Sequence, residues 1–231
     1  MPKSEVYNCD CMTFMQGLKD NAFDLCIADP PYGIGATTMN LGNGHRRIYR
    51  GKSDWDADSP DAAFFREMMR VSRNQIVWGA NHFVETFHQN SSCWVVWDKG
   101  TGQNSFADCE LAWTSFEKPV KKFFKSWVGS NAKEKTDTDR IHPTQKPIAL
   151  YEWLLKNYAP QGGVIFDPMM GSQSSRIAAW RMGFDYVGCE LDEEYFREGC
   201  KRFDRECKNE IVLTNGRVIK QLTLFDDDLE I

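Results

Sequence analysis

The residues best placed to do chemistry are Asp29-Pro30-Pro31-Tyr32, which close the apolar run Phe23-Asp24-Leu25-Cys26-Ile27-Ala28. Two successive prolines fix φ and remove two N–H donors, so the turn offers carbonyl oxygens and a carboxylate with no internal competitor. Such a set of acceptors suits an amino group. Tyr32 adds a flat amphipathic ring on which a planar heterocycle can stack, a contact worth about 1–3 kcal/mol per base in single-strand binders. Asp and Pro also build ordinary turns, so the tetrapeptide alone leaves a stiffened structural loop open.

A second set, Asp167-Pro168-Met169-Met170-Gly171-Ser172, follows the apolar Gly163-Val164-Ile165-Phe166, and Glu190 ends the next apolar run, Tyr186-Val187-Gly188-Cys189. Asp167 and Glu190 lie 23 residues apart. A nucleotide-binding βαβ unit sets its ribose-binding carboxylate at about 20. A nucleoside-containing cofactor is therefore expected, with Glu190 accepting from ribose hydroxyls and Gly171 letting the cofactor approach the backbone.

Basic residues gather in two places. His45, Arg46, Arg47, Arg50 and Lys52 form one cluster, and Lys118, Lys121, Lys122 and Lys125 interleave with Phe123, Phe124 and Trp127 in the other. This mixture suits phosphate neutralisation with base stacking, and equally a solvated face. The net charge of −5 excludes a uniformly basic coat, so any DNA contact must be local. The eight cysteines form no CxxC pair and the four histidines have no helical ligand spacing, so no metal is expected. No apolar run is long enough to span a bilayer and no basic-then-apolar segment opens the chain, which predicts a cytoplasmic protein without a membrane partner.

The elements that must position these groups follow from periodicity. Strands are expected at Phe23–Ala28, Gln75–Gly79, Cys93–Trp97, Cys109–Ser115, Val120–Trp127, Gly163–Phe166 and Tyr186–Cys189. Helices are expected at Asp61–Arg73 and Pro147–Tyr158, after a Ser172 cap as far as Met182, and after an Asp192 cap through Phe203. Strand alternating with helix predicts an α/β fold, a doubly wound and mainly parallel sheet of the Rossmann-like kind. The 231 residues suffice for one main domain. We assign it to residues 1–207, with 208–231 as a carboxyl-terminal tail. Segments 33–60 and 118–141 are the candidate DNA-recognition loops.

In these motifs and their order the chain resembles the S-adenosylmethionine-dependent DNA amino-methyltransferases, in the permuted (beta-class) type whose catalytic motif precedes the cofactor motif. Three further segments support the resemblance. Asn8-Cys9-Asp10-Cys11, on the strand before the catalytic one, is similar to the family's adenine-binding element, which implies cofactor contacts for Asp10 and Cys11. His142-Pro143-Thr144-Gln145-Lys146-Pro147 is similar to the element beside the cofactor's methionine moiety, with Thr144 and Lys146 as candidates for its carboxylate. Gly79-Ala80-Asn81-His82-Phe83 matches a recurrent segment to which no role is assigned.

The resemblance implies that Asp29 and the Pro30 carbonyl accept the N–H groups of a flipped-out base while Tyr32 stacks on it. An Asp in the first position implies adenine N6 rather than cytosine N4 as the methylated group, and the family implies a role in restriction-modification. Cofactor contacts extend over Asp29, Asp167, Pro168, Met169, Gly171 and Ser172, with DNA as partner and a homodimer conceivable. Gln173 departs from the family, which keeps a glycine there. It is expected in the first helical turn with ordinary φ, or else it marks a decayed cofactor site in a non-enzymatic DNA-binding protein. Methyltransferases of protein glutamine or ribosomal RNA place the cofactor motif first, against the order here.

Gln221-Leu222-Thr223-Leu224-Phe225, ahead of three aspartates, resembles the peptide with which bacterial proteins dock into the replication sliding clamp. The competing expectation is a hairpin about Asn215-Gly216 that folds the tail onto the domain.

Overall fold

The alternation of apolar and amphipathic runs builds an open sheet clothed by helices on both faces. The computed structural model describes residues 1–33, 59–101, 107–127, 141–142, 144–208, 210–212 and 218–220. In chain order these form β1 (Ser4–Asn8), α1 (Cys11–Gln16), β2 (Phe23–Ala28), α2 (Ala62–Val71), β3 (Ser72–Trp78), a 3-10 turn (Ala80–His82), α3 (Val84–Phe87), β4 (Trp94–Asp98), β5 (Cys109–Thr114) and β6 (Lys121–Phe124). They continue with α4 (Ile148–Tyr158), β7 (Val164–Asp167), α5 (Ser174–Arg181), β8 (Asp185–Glu190), α6 (Glu193–Lys208), β9 (Glu210–Val212) and β10 (Val218–Lys220).

The main sheet runs β1-β8-β7-β2-β3-β5-β4-β6. β1, β8, β7, β2 and β3 pair in parallel, β5 is antiparallel to both β3 and β4, and β6 lies parallel to β4. The carboxyl ends of β2, β7 and β8 therefore open on one edge of the sheet, where α/β folds bind ligands. Strand β2 is buried on both faces. Leu25 and Ile27 pack into the core beneath α4 and α5, whereas Cys26 and Ala28 point into the one beneath α2, as the two-residue period of a strand requires. Each such fully buried Leu or Ile contributes about 1.5–3 kcal/mol.

Local signals place several boundaries. Asp192 accepts from the backbone N–H groups of Glu194 and Tyr195, capping α6 as expected, and Asp61 likewise caps α2 by accepting from Phe64, whereas Ser172 caps no helix: α5 begins at Ser174 with Gln173 before it. Elsewhere tertiary pairing overrides the local reading. α2 stops at Val71 rather than Arg73 because Ser72, bonded through Oγ to the Met68 carbonyl, already pairs with Phe23 of β2. β6 is confined to Lys121–Phe124, shorter than expected. Asp10 caps α1 by accepting from Thr13, so Asn8–Cys11 spans a strand end and a helix start rather than lying within a strand. β9 and β10 pair antiparallel, Val218 opposite Val212, which is the expected hairpin. Its turn and Gln221, Leu222, Leu224 and Phe225 lie outside the described residues, as do Arg46, Arg47, Arg50 and Pro143. Among the described residues no helix is long and apolar enough to cross a membrane.

Candidate active site

The Asp29-Pro30-Pro31-Tyr32 turn leaves the carboxyl end of β2 between β7 and β3. Both carboxylate oxygens of Asp29 are engaged by donors. The Tyr32 hydroxyl donates to Oδ1 at 3.0 Å, and the Lys146 ammonium sits 2.5 Å from Oδ2. Burial raises the Asp29 carboxyl above its ordinary range, the Lys146 ammonium opposes this, and Glu110 reinforces it. Glu110, from β5, lies 3.2 Å from Lys146 and also contacts Lys99. Burial acts to raise Glu110, but the two lysines outweigh it and hold it ionised.

Tyr32 has a made bed. Its ring stacks on His82 at 5.0 Å and 15° and meets Phe83 edge-on. Gly79 adopts φ 67°, and a Cβ there would lie 2.2 Å from the Tyr32 ring, so only glycine leaves room. The Gly79–Phe83 segment, without a role in the sequence, is thus the seat of the tyrosine.

The second constellation forms a turn beside Asp29. Asp167 is buried, accepts from Met169 N at 3.0 Å through Oδ1 and from Ser175 Oγ at 2.5 Å through Oδ2, and is pushed by burial up to about 7. It stands behind the turn and shapes it. Pro168 and Ser172 are buried, and the partly exposed rim consists of Met169, Gly171 and Glu190. Gly171 holds φ 46° and donates its N–H to Glu190 Oε2 at 2.8 Å, while Asp192 N donates to Oε1 at 2.9 Å. Each carboxylate oxygen keeps a lone pair for a further donor, such as a ribose hydroxyl. Leu191 beside it is 67% exposed, an apolar surface that a heterocycle can cover, and Asp10 and Cys11 lie across from it at the end of neighbouring β1. These residues fit a nucleoside cofactor. His142 packs edge-on against Tyr195 over Gly171, its Nδ1 accepts from Thr144 N, and burial next to Lys146 pulls its imidazole down to about 3, so it stays neutral.

Lys146 is buried against Asp29, with its side chain 2% exposed. One position differs from expectation. Gln173 adopts φ 62°, a left-handed conformation, rather than an ordinary helical one. Its side chain is buried between α5 and α6, with Oε1 accepting from Arg176 at 2.8 Å and Nε2 donating to the Phe196 carbonyl at 3.1 Å. Gly199 makes the space, since a Cβ there would fall 2.5 Å from Gln173 Nε2. The departure from glycine therefore points away from the cofactor turn.

The left-handed backbone costs a non-glycine residue about 1–2 kcal/mol, and a bond to a buried guanidinium contributes about 1.5–3 kcal/mol. Adding the cavity, Gln173→Gly is expected to destabilise the protein by roughly 1–3 kcal/mol while leaving cofactor affinity unchanged. Urea titration paired with cofactor calorimetry checks both halves.

Lys99 and Glu110 were not legible as site residues. The available signal was a carboxylate inside the apolar strand Cys109–Thr114. Of the DNA candidates, Lys121 and Lys122 are exposed on edge strand β6, with Lys122 3.3 Å from Asp98.

The rim of Met169, Gly171 and Glu190 at the ends of β7 and β8, next to the Asp29 turn at the end of β2, lies on a Rossmann-like α/β fold of the methyltransferase kind. A family model described as DNA methylase, of the N6/N4 methyltransferase kind, matches residues 96–201. Type II methyltransferase M2.MboI of Moraxella bovis is 24% identical over 86% of this chain and 86% of its own. Type II methyltransferase M2.DpnII of Streptococcus pneumoniae is 24% identical over 88% of this chain and 91% of its own. The solved complex of M1.HpyAVI with SAM superposes with a TM-score of 0.54 at 19% identity, covering 87% of this chain and 99% of that one. Over residues 96–201 the chain is similar to the DNA methylases of the N6/N4 kind, and its fold is that of the solved S-adenosylmethionine-bound methyltransferase.

Proposed function

We propose that the protein methylates the exocyclic N6 of adenine in DNA. The observation that carries this reading is Asp29, whose two oxygens face donors at the end of β2 beside the cofactor turn. S-adenosylmethionine supplies an electrophilic methyl group on a sulfonium. In this reading Glu190 would accept from its ribose, Asp10 and Cys11 would border its adenine, and His142 and Thr144 would border its methionine end. When the target amine arrives, one N–H replaces the Tyr32 hydroxyl on Asp29 Oδ1 and the other meets the Pro30 carbonyl. The amine lone pair then turns out of the ring, and the carboxylate stabilises the positive charge that develops on nitrogen. Tyr32, released from Asp29, stacks on the extruded base. Arg46, Arg47, Arg50, Lys121 and Lys122 serve the phosphates.

Transfer of labelled methyl groups to unmethylated DNA, followed by mass identification of the nucleoside, tests this. N6-methyladenine supports the reading; N4-methylcytosine overturns the choice of base, and cofactor binding without label on any DNA overturns the activity.

The Gln221–Phe225 peptide follows directly on β10, and the reading extends to a clamp-tethered enzyme working in a bacterial cytoplasm, where attachment to a ring on DNA raises the local substrate concentration. Removal of residues 221–231 is expected to abolish binding to purified sliding clamp and to leave turnover on short oligonucleotides intact. Clamp binding that survives the truncation rules the tether out. A homodimer would join two recognition loops at one site, and sedimentation with and without DNA tests it.

A further inference from the structure

Lys146 Nζ has three oxygens around it: Asp29 Oδ2 at 2.5 Å, Glu110 Oε2 at 3.2 Å and the Tyr32 hydroxyl at 3.3 Å. An ammonium has three N–H donors, so a cofactor carboxylate would have to displace one of these partners. Its side chain is 2% exposed, and the rings of Trp78 and Tyr32 flank the charge at 5.4 and 5.7 Å. The backbone that carries it is held as well. The Lys146 carbonyl accepts from Ser174 Oγ at 2.8 Å, and the preceding Gln145 carbonyl accepts from Trp127 Nε1 at 2.9 Å. Beyond Lys146, Glu110 Oε2 is buried, and its charge is met by the ammonium at 3.2 Å on one side and by Lys99 at Oε1 on the other.

We propose that Lys99, Glu110 and Lys146 form a row of alternating charge that positions Asp29, with Lys146 fixing Oδ2 so that Oδ1 is the oxygen presented to the target amine. The inference rests on Asp29 being the amine acceptor. The row does two things that a single ion pair cannot. Lys146 keeps the buried carboxylate ionised and its rotamer set. Glu110 draws part of the ammonium's field away, so that Asp29 remains a strong acceptor for the amine instead of being fully neutralised by its partner. Lys99 in turn keeps Glu110 ionised. None of the three touches the substrate in this scheme; they are positioning residues.

The charged and titratable groups facing Asp29 are Lys146 and Tyr32 in contact, Glu110 behind them, Tyr151 of α4 and Asp167 of β7; Lys146 also faces His142. The signs follow from this arrangement. Loss of the Lys146 charge raises Asp29, loss of the Glu110 charge lowers it, and loss of Lys99, which lets Glu110 take up a proton, lowers it weakly.

The test compares Lys146→Met, Glu110→Gln, Lys99→Met and Asp29→Asn in the full chain, with kcat, the KM for S-adenosylmethionine and kcat against pH as readouts. Lys146→Met is expected to lower kcat about 100-fold, to leave the cofactor KM within about twofold, and to move the acid limb of the profile to higher pH. Glu110→Gln is expected to move that limb to lower pH with kcat down about tenfold, and Lys99→Met to move it slightly in the same direction. A cofactor KM raised more than about tenfold in Lys146→Met, with the acid limb unmoved, overturns the proposal and returns Lys146 to the cofactor carboxylate. Should Lys146→Met fail to fold, the downward limb shifts of Glu110→Gln and, more weakly, Lys99→Met decide the matter, and limbs that stay in place overturn it. Asp29→Asn separates the two levels: if it keeps turnover, the acceptor assignment itself fails; if it is inactive while the limbs do not move, the charge row alone fails.

Discussion

Asp29→Asn is expected to lower kcat by about a thousand-fold with DNA and cofactor affinities changed only a few-fold. The size of the effect follows from the inventory of donors around the carboxylate. An amide offers one oxygen where the carboxylate offers two. Lys146, 2.5 Å from Oδ2 and buried, takes that oxygen, because the alternative sets the amide NH2 against the ammonium, donor against donor. The amide NH2 then occupies the place of Oδ1, where the Tyr32 hydroxyl now donates and where the amine N–H is to be accepted. A donor meets a donor, and the negative charge that stabilises the developing cation is gone. Binding is expected to be spared because the residues proposed for the cofactor, Gly171 and Glu190, and those proposed for DNA lie on other elements. Single-turnover rates with filter binding of DNA and calorimetry of the cofactor measure the split. Turnover within tenfold of the unmodified protein would refute the acceptor role.

Glu190→Ala is expected to weaken S-adenosylmethionine binding by at least about 100-fold while kcat at saturating cofactor stays within a few-fold. The carboxylate does two jobs at once. It accepts the backbone N–H groups of Gly171 and Asp192 at 2.8 and 2.9 Å, tying the end of β8 to the β7 turn, and its remaining lone pairs face the space above the rim. Charge-assisted bonds of this kind are worth about 1.5–3 kcal/mol each, so losing the ribose contacts and slackening the turn together reach two orders of magnitude in Kd. Burial raises the Glu190 carboxyl above its ordinary range, so cofactor affinity should also fall earlier on acidification than for an exposed glutamate. A calorimetric titration at neutral and mildly acidic pH reads both effects. An unchanged Kd in Glu190→Ala would remove Glu190 from the cofactor site.

Much of the architecture was legible because its signals are local. The apolar run into Asp29-Pro30-Pro31-Tyr32, the second run into Asp167, the acid at the end of β8 and the caps Asp61 and Asp192 each announce themselves within a few residues. Where local rules went astray, a distant partner was responsible. Gln173 takes a left-handed backbone because its amide is drawn into the α5–α6 seam opened by Gly199, and two buried hydrogen bonds offset the strain. Ser72 leaves α2 for β3 because β2 offers it a pairing partner.

The linear chain by itself determined which strands end in polar turns, and in which order: Asp29-Pro30-Pro31-Tyr32 first, the Asp167 turn later, and Glu190 after that. These follow from side-chain period, proline and glycine stereochemistry and capping, all of which act over a few bonds. Only the tertiary structure decided what surrounds Asp29. Lys146 reaches it from the segment preceding α4, Glu110 from β5 and Lys99 from the end of β4, and Gly79 clears the bed of Tyr32 from the end of β3. No periodicity links these positions. They meet because β5 pairs antiparallel to both β3 and β4, and because buried charges must find opposite charges wherever the fold brings them together.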